Sequence, residues 1–260
     1  MDAKITEVNG TSISYYDEGQ GKPVVLLHGF CGSKDYWAKV IPLLAEDFRV
    51  IAFDLPGHGG SERPEGEPTI ENMAEVIKGA IDEMELDAFS LFGHSLGGYV
   101  TLAFAEKFGE KLSSFALIHS TASPDSEEGK KGRDVAAGKI DKEGMESFID
   151  GLVPKLFAPG EKHPDEIQLA KEIGYHTKAE GAKAALKAMK QRGDRSHVLE
   201  NTRLPVLIIA GDQDQIVPPD KSFAAKGPAI KQVTINGAGH MSMYEAPEEL
   251  EDAIKKFLEE

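Results

Sequence analysis

The pentapeptide Gly-His-Ser-Leu-Gly at residues 93–97 constrains the fold of this chain more than any other feature. It follows an apolar run, Ala88–Phe92, and precedes a helix-like segment, Tyr99–Lys107. A sharp strand-to-helix turn holds a serine hydroxyl exposed, and flanking glycines lack the Cβ atoms that would collide there. The helix start also directs free N–H groups at negative charge that forms beside the serine. The pattern predicts a nucleophilic Ser95 in an alternating β/α chain.

Strand-like runs continue on both sides of this pentapeptide. The first two flank an Asn-Gly turn at residues 9–10 and are predicted to pair antiparallel, and the runs that follow are short and mostly apolar. The predicted strands are Lys4–Val8, Ser12–Asp17, Pro23–Leu27, Arg49–Phe53, Ala88–Phe92, Ser114–Ile118, Pro205–Ala210 and Ile230–Ile235. Strands that alternate with helices indicate a mostly parallel sheet covered by helices on both faces. Residues 122–202 differ, because they contain amphipathic helical patterns and no strand-like run. The chain is therefore predicted to form a core domain, residues 1–121 and 203–260, with an inserted helical cap, residues 122–202.

Helix starts are predicted from capping residues. Thr69 is placed to cap a helix that has Glu71 in its first turn. Thr177 and Glu180 have the spacing of a capping box ahead of an alanine-rich segment. A further helix is predicted over Tyr36–Leu44.

Composition narrows the classes of partner. The 260 residues carry a net charge of −15, which disfavours binding to nucleic acid or to anionic membrane surfaces. No apolar stretch approaches the length of about 18 residues that spans a bilayer, and the start of the chain lacks a signal-peptide pattern. A cytoplasmic protein without disulfides is expected, since Cys31 is the single cysteine.

A nucleophilic serine needs a base, and the base needs an acid that orients it. His240 follows the last predicted strand in a glycine-rich segment, and Asp212 and Asp214 follow the strand before it. Segments at the carboxyl ends of parallel strands meet at one edge of the sheet. His240 is therefore the predicted base, and on composition alone either aspartate could be the acid.

Four short segments, taken in order, resemble the α/β-hydrolase family. They are His28-Gly29, residues 93–97, Gly211–Pro218 and Gly239-His240. The resemblance spans essentially the whole chain and implies an α/β fold with an eight-stranded, mostly parallel sheet and an inserted helical cap. No cofactor and no metal is implied.

The resemblance also implies roles for individual residues. The family pattern Gly-x-x-Asp-x-x-Val-Pro, matched by residues 211–218, selects Asp214 as the acid beside Ser95 and His240. The oxyanion hole is expected to be formed by the backbone N–H groups of Phe30, in the His-Gly-x turn, and of Leu96, which follows the nucleophile.

Other residues near these segments receive structural interpretations. His28, His58, His94 and Cys31 are expected to pack the loops, and His119 ends a strand where it could line the pocket. Four apolar cap residues are candidates either for the substrate pocket or for the core of the cap: Met145, Phe148, Leu152 and Phe157.

The leading hypothesis is a serine carboxylesterase that cleaves esters of small molecules through an acyl-enzyme. An alternative on the same triad is a lyase of the menaquinone pathway, which would call for cap arginines, or a carbon–carbon bond hydrolase. The cap offers Arg133, Arg192 and Arg195. Another alternative is a small-molecule receptor with slow or no turnover.

Overall fold

The computed structural model describes residues 1–160 and 162–260, and within them eight strands form one sheet. The strands are β1 (Lys4–Val8), β2 (Thr11–Glu18), β3 (Pro23–Leu27), β4 (Arg49–Phe53), β5 (Phe89–His94), β6 (Leu112–Ile118), β7 (Val206–Gly211) and β8 (Ile230–Ile235). Their order across the sheet is β1-β2-β4-β3-β5-β6-β7-β8. The pairs β1/β2 and β2/β4 are antiparallel, and all the other pairs are parallel. The predicted α/β fold class is confirmed.

Helices connect the parallel strands and follow the last one. They are α1 (Ile41–Leu44), α2 (Ile70–Glu83), α3 (Leu96–Phe108), α4 (Glu127–Leu152), α5 (Pro164–Tyr175), α6 (Ala179–Gln191), α7 (Ser196–Asn201), α8 (Pro219–Ser222), α9 (Ser242–Glu245) and α10 (Pro247–Leu258). Thr69 caps α2, as predicted, by accepting a hydrogen bond from the Asn72 N–H. No helix in the described residues combines the length and the apolar character needed to cross a bilayer.

The central strands are buried on both faces, which explains their apolar sequences. Every residue of β5 and of β7 is buried. Helices α2 and α3 pack against each other, as do α1 and α10. Because the parallel strands share one direction, the turns that follow β3 to β8 all lie at one edge of the sheet.

The cap lies between β6 and β7 and contains α4 to α7. Helix α4 packs against α5 and α6 and is broken at Gly144, whose φ of 81° and ψ of 172° are not helical. The predicted capping box is wrong: α6 begins at Ala179 without a side-chain cap. The Thr177 hydroxyl instead donates to the Cys31 carbonyl oxygen at 3.4 Å, so a tertiary contact replaces the local one.

The predicted helix over Tyr36–Leu44 is also wrong in its extent. The segment forms a short 3-10 helix, Lys34–Trp37, and then the single turn α1. Tyr36 and Trp37 are almost inaccessible to solvent, so the apolar pattern reflects packing of a turn rather than a continuous helix.

Candidate active site

The turn between β5 and α3 holds Ser95 in a backbone conformation that serine rarely adopts. Its φ of 50° and ψ of −112° lie in a sparsely populated region for residues other than glycine. A Cβ atom on Gly93 would lie 2.2 Å from the Gly97 carbonyl oxygen, so this turn requires glycine there. The Ser95 N–H donates to the Ile118 carbonyl oxygen at 2.9 Å. Strand β6 thus fixes the serine backbone while its side chain stays partly exposed.

The turn after β3 passes directly over this serine. A Cβ atom on Gly29 would lie 3.3 Å from the Ser95 Cβ. Phe30 is the next residue, and Leu96 is the first residue of α3, where a backbone N–H has no acceptor within the helix. The two amides predicted for the oxyanion hole therefore belong to the two segments that meet at Ser95.

A buried ion pair joins the turn after β3 to the loop after β4. The Lys34 Nζ lies 2.8 Å from Asp54 Oδ2, and the two side chains are 8% and 0% exposed. Asp54 also accepts hydrogen bonds from the backbone N–H groups of Lys34, at 2.6 Å, and of Gly60, at 2.8 Å. These contacts fix the segment that carries Phe30.

The segments after β7 and β8 bring Asp214 and His240 into contact. His240 Nδ1 lies 2.8 Å from Asp214 Oδ2. The other carboxylate oxygen accepts hydrogen bonds from the N–H groups of Ile216, at 2.8 Å, and Val217, at 3.0 Å. Burial raises the pKa of Asp214, but the adjacent ring of His240 and hydrogen bonds from His119 and His240 outweigh it, so this pKa lies well below its ordinary value. Asp214 is therefore a carboxylate at neutral pH.

The loop that carries His240 contacts residues 156–158 of the cap. The backbone N–H of His240 donates to the Leu156 carbonyl oxygen at 2.7 Å. A Cβ atom on Gly239 would lie 2.4 Å from the Ala158 nitrogen, so the two backbones are in direct contact. The Glu245 carboxylate accepts hydrogen bonds from the N–H groups of Ala158, at 2.7 Å, and Gly239, at 2.9 Å.

A hydrogen bond from His94 links the turn that carries Ser95 to the loop that carries His240. His94 Nε2 lies 2.8 Å from the His240 carbonyl oxygen, so this nitrogen carries the proton, and the two ring centres are 4.9 Å apart. His94 directly precedes Ser95 in the chain. Among residues 1–160 and 162–260, no hydrogen bond joins the Ser95 hydroxyl to the His240 ring; such contacts commonly tighten when substrate binds.

His119 contacts the same carboxylate oxygen as His240, and sequence reasoning missed this contact. Its Nδ1 lies 3.1 Å from Asp214 Oδ2, and its Nε2 lies 2.7 Å from the Ser242 Oγ. The ring is inaccessible to solvent, and this burial lowers the pKa of His119, so the ring is neutral at neutral pH. The sequence shows His119 only as the residue that ends a strand, and nothing in it marks a contact across 95 positions.

The remaining residues singled out in the sequence pack the loops, as predicted. His28 Nε2 accepts a hydrogen bond from the Leu55 N–H at 2.9 Å. Burial lowers the pKa of His58 to about 3 and raises the pKa of the Cys31 thiol well above its ordinary value. Asp212, the other aspartate considered, accepts a hydrogen bond from the Gly237 N–H at 2.6 Å and is exposed.

A cavity of about 500 Å³ opens beside Ser95 and lies between the core and the cap. Its cap wall includes Arg133, Met189 and Arg192. Phe148, a candidate either for the pocket or for the core of the cap, is not among the residues that line this cavity, and its ring centre lies 6.1 Å from that of Phe30. A larger cleft of about 710 Å³ lies at the amino ends of the strands, away from these side chains.

One carboxylate pairs with both arginines that line this cavity. Asp125 forms ion pairs with Arg133, at 3.0 Å, and with Arg192, at 2.8 Å. The Arg192 guanidinium also lies 4.0 Å from the centre of the Tyr99 ring. Arg195 pairs instead with Glu106 and Glu71, so two of the three cap arginines line the cavity.

The ligand atoms of His119, Asp214 and His240 lie within 4.8 Å of one another, which is close enough to consider a metal ion. Both histidines place Nδ1 against the same oxygen, Asp214 Oδ2, at 2.8 and 3.1 Å. These are hydrogen-bond distances to a carboxylate, and the arrangement is accounted for by imidazole N–H donors without an ion.

Comparison with known proteins agrees with this fold. Residues 22–138 match a family model described as "alpha/beta hydrolase fold". The structure of a thermophilic esterase from Thermogutta terrifontis, with malate bound, superimposes with a TM-score of 0.93 at 31% identity, over 100% of this chain and 98% of that one.

Two curated proteins are similar along nearly the whole chain. The dihydrolipoyllysine-residue acetyltransferase component of the acetoin cleaving system of Pseudomonas putida is 30% identical over 97% of this chain and 68% of its own length. The 2-hydroxy-6-oxo-6-(2'-aminophenyl)hexa-2,4-dienoic acid hydrolase of Metapseudomonas resinovorans is 27% identical over 98% of this chain and 90% of its own length.

Proposed function

The chain belongs to the α/β-hydrolase family, and from this premise we propose that it is a serine hydrolase that cleaves carboxylic esters of small molecules. The observation that carries the proposal is the 2.8 Å contact between Asp214 and His240, held beside the strained turn of Ser95. The esterase from Thermogutta terrifontis, which is similar over the whole chain, supports the same class of reaction.

In the proposed mechanism, Ser95 attacks the ester carbonyl while His240 accepts the hydroxyl proton through Nε2. Asp214 stabilises the protonated ring through Nδ1, and the N–H groups of Phe30 and Leu96 stabilise the oxyanion. His240 then donates the proton to the leaving alcohol. A water molecule, activated by the same histidine, releases the acid and restores Ser95.

The test compares the hydrolysis of short p-nitrophenyl esters by the wild-type protein and by Ser95→Ala. We expect the substitution to lower kcat by about 10⁴-fold or more. Ser123→Ala, which changes another serine of the same cavity, is the matched control and should still react with a fluorophosphonate probe. Equal activity in Ser95→Ala and wild type would disprove the proposal.

A second candidate is the cleavage of a carbon–carbon bond in a substrate that carries a carboxylate. Arg133 and Arg192 line the cavity beside Ser95, where both pair with Asp125, and a substrate carboxylate would share or replace that carboxylate as their partner. The relative from Metapseudomonas resinovorans acts on such an acid. Loss of the absorbance of a 2-hydroxy-6-oxo-dienoic acid, faster than ester hydrolysis and dependent on Ser95, would favour this candidate over the esterase.

A further inference from the structure

Four buried polar side chains form a continuous hydrogen-bonded chain behind Ser95. It runs from the Ser242 hydroxyl to His119, from His119 to Asp214, and from Asp214 to His240. His119, Ser242 and the Asp214 side chain are inaccessible to solvent. The base and acid of the proposed mechanism thus form only half of this chain within the described residues.

The contacts of His119 decide which of its nitrogens carries the proton. Its Nδ1 lies 3.1 Å from the Asp214 carboxylate and 3.3 Å from the Gly211 nitrogen, whose N–H would require Nδ1 to accept. A carboxylate facing an unprotonated nitrogen is repelled, whereas an N–H donated to a carboxylate is a strong, charge-assisted hydrogen bond. The proton therefore lies on Nδ1, and Nε2 accepts a hydrogen bond from Ser242.

This tautomer places two imidazole N–H groups on one oxygen. Asp214 Oδ2 receives His119 and His240, while Oδ1 receives the N–H groups of Ile216 and Val217. Each of these hydrogen bonds interacts with the same negative charge on the carboxylate. The charge available to a protonated His240 is therefore smaller than it would be with His240 as the sole partner of that oxygen.

The other titratable groups around these four side chains are His94 and Glu245, whose carboxylate accepts hydrogen bonds from the N–H groups of Gly239 and Met241 on either side of His240. The ring centre of His94 lies 5.9 Å from that of His119, and the ring centre of His240 lies 5.6 Å from it. Burial lowers the pKa of His94 well below its ordinary value, so it adds no positive charge at neutral pH. Within the described residues, His119 therefore influences the reaction through Asp214 and, beyond it, through His240.

We propose that His119 is a positioning residue that fixes the Asp214 carboxylate and, by sharing its charge, reduces the stabilisation that Asp214 gives to the charged form of its other partner, His240. This inference rests on the proposed function, in which His240 is the base. It predicts that His119 extends activity toward acid pH rather than merely stabilising the fold.

The test measures the pH profile of kcat/KM for His119→Gln and His119→Asn. In His119→Asn the δ-amide keeps a donor near Asp214, and asparagine tolerates the positive φ of 50° at this position. In His119→Gln the amide is one bond further out and loses that donor. We expect the acid limb of the profile to move up by about half a pH unit to one unit in His119→Gln, and to stay near wild type in His119→Asn.

Ser242→Ala provides a second, milder variant in case the changes at residue 119 impair folding. It removes the donor to Nε2 and weakens the polarised N–H at Nδ1, so the acid limb should move in the same direction by a smaller amount. Lower activity with an unchanged acid limb in both His119→Gln and Ser242→Ala would overturn the inference.

Failure of the proposed function gives a different result. If Ser95→Ala kept wild-type ester hydrolysis, the esterase proposal itself would be wrong. If Ser95→Ala is inactive and the acid limb moves in neither His119→Gln nor Ser242→Ala, the function stands and only the role of His119 is disproved.

Discussion

The core and the cap, which form the two walls of the cavity beside Ser95, are stabilised in different ways away from the cavity itself. On the core side, backbone segments approach each other so closely that Gly93 cannot carry a Cβ atom, and Lys34 and Asp54 form a buried ion pair. On the cap side, α4 and α6 are joined by exposed ion pairs such as Lys190–Asp134. The core therefore tolerates little substitution at these positions, whereas the exposed surface where α4 meets α6 tolerates variation.

The largest expected effect separates the two kinds of ion pair. Asp54→Asn leaves the Lys34 ammonium buried without its partner charge, and we expect a loss of about 3–5 kcal/mol in the free energy of unfolding. Asp134→Asn, at a carboxylate that is 61% exposed, should cause no measurable change. Urea unfolding of both variants makes the comparison, and similar losses would show that the two walls do not differ in this respect.

Glycine substitutions sharpen the same contrast. Gly93→Ala would place a methyl group 2.2 Å from a carbonyl oxygen, and we expect it to cost about 3 kcal/mol. Gly138 lies in α4 with open space around the Cβ position, so Gly138→Ala should stabilise the protein by about 0.5–1 kcal/mol. Shifts of the same sign in the two melting temperatures would contradict this expectation.

A third contrast concerns acid stability, because the core holds its histidines buried and the cap exposes His176 and His197. Burial lowers the pKa of His58 from 6.5 to about 3, and burial also lowers the pKa values of His28 and His94. The unfolded chain then binds more protons than the folded one below about pH 6.5, so stability falls as the pH falls.

Each buried histidine contributes up to about 1.4 kcal/mol per pH unit in that window. Urea midpoints measured from pH 7 to pH 5 in wild type and in His58→Gln check this. The slope should be shallower in the variant, and the same slope in both would exclude His58 as a source of the acid sensitivity.

Features that depend on neighbours in the sequence could be predicted from it. The strand, the glycines and the helix around Ser95 form a local pattern, and the Thr69 cap requires only the next three residues. The eight strands follow from apolar runs for the same reason.

The pairing of Asp214 with His240 could be predicted from the family pattern and from strand ends that share one edge of the sheet. Other features that depend on distant contacts could not be predicted. Thr177 has the spacing of a helix cap, but its hydroxyl is taken by the Cys31 carbonyl oxygen. The contact between His119 and Asp214 joins the ends of two neighbouring strands that are 95 positions apart in the chain. The cap wall of the cavity likewise depends on how helices pack, and amphipathic patterns specify the buried face of a helix without naming its partner.

The joint between the His240 loop and residues 156–158 has a consequence for engineering. The backbone of Leu156 accepts the His240 N–H, and Ala158 abuts Gly239. A chimera that imports the whole cap of a relative would replace the cap side of this joint. It would then displace the His240 imidazole while it exchanges the cap residues that line the cavity. Exchange of residues 122–152 alone keeps the joint intact, and this makes α4 the natural unit for transplanting substrate preference.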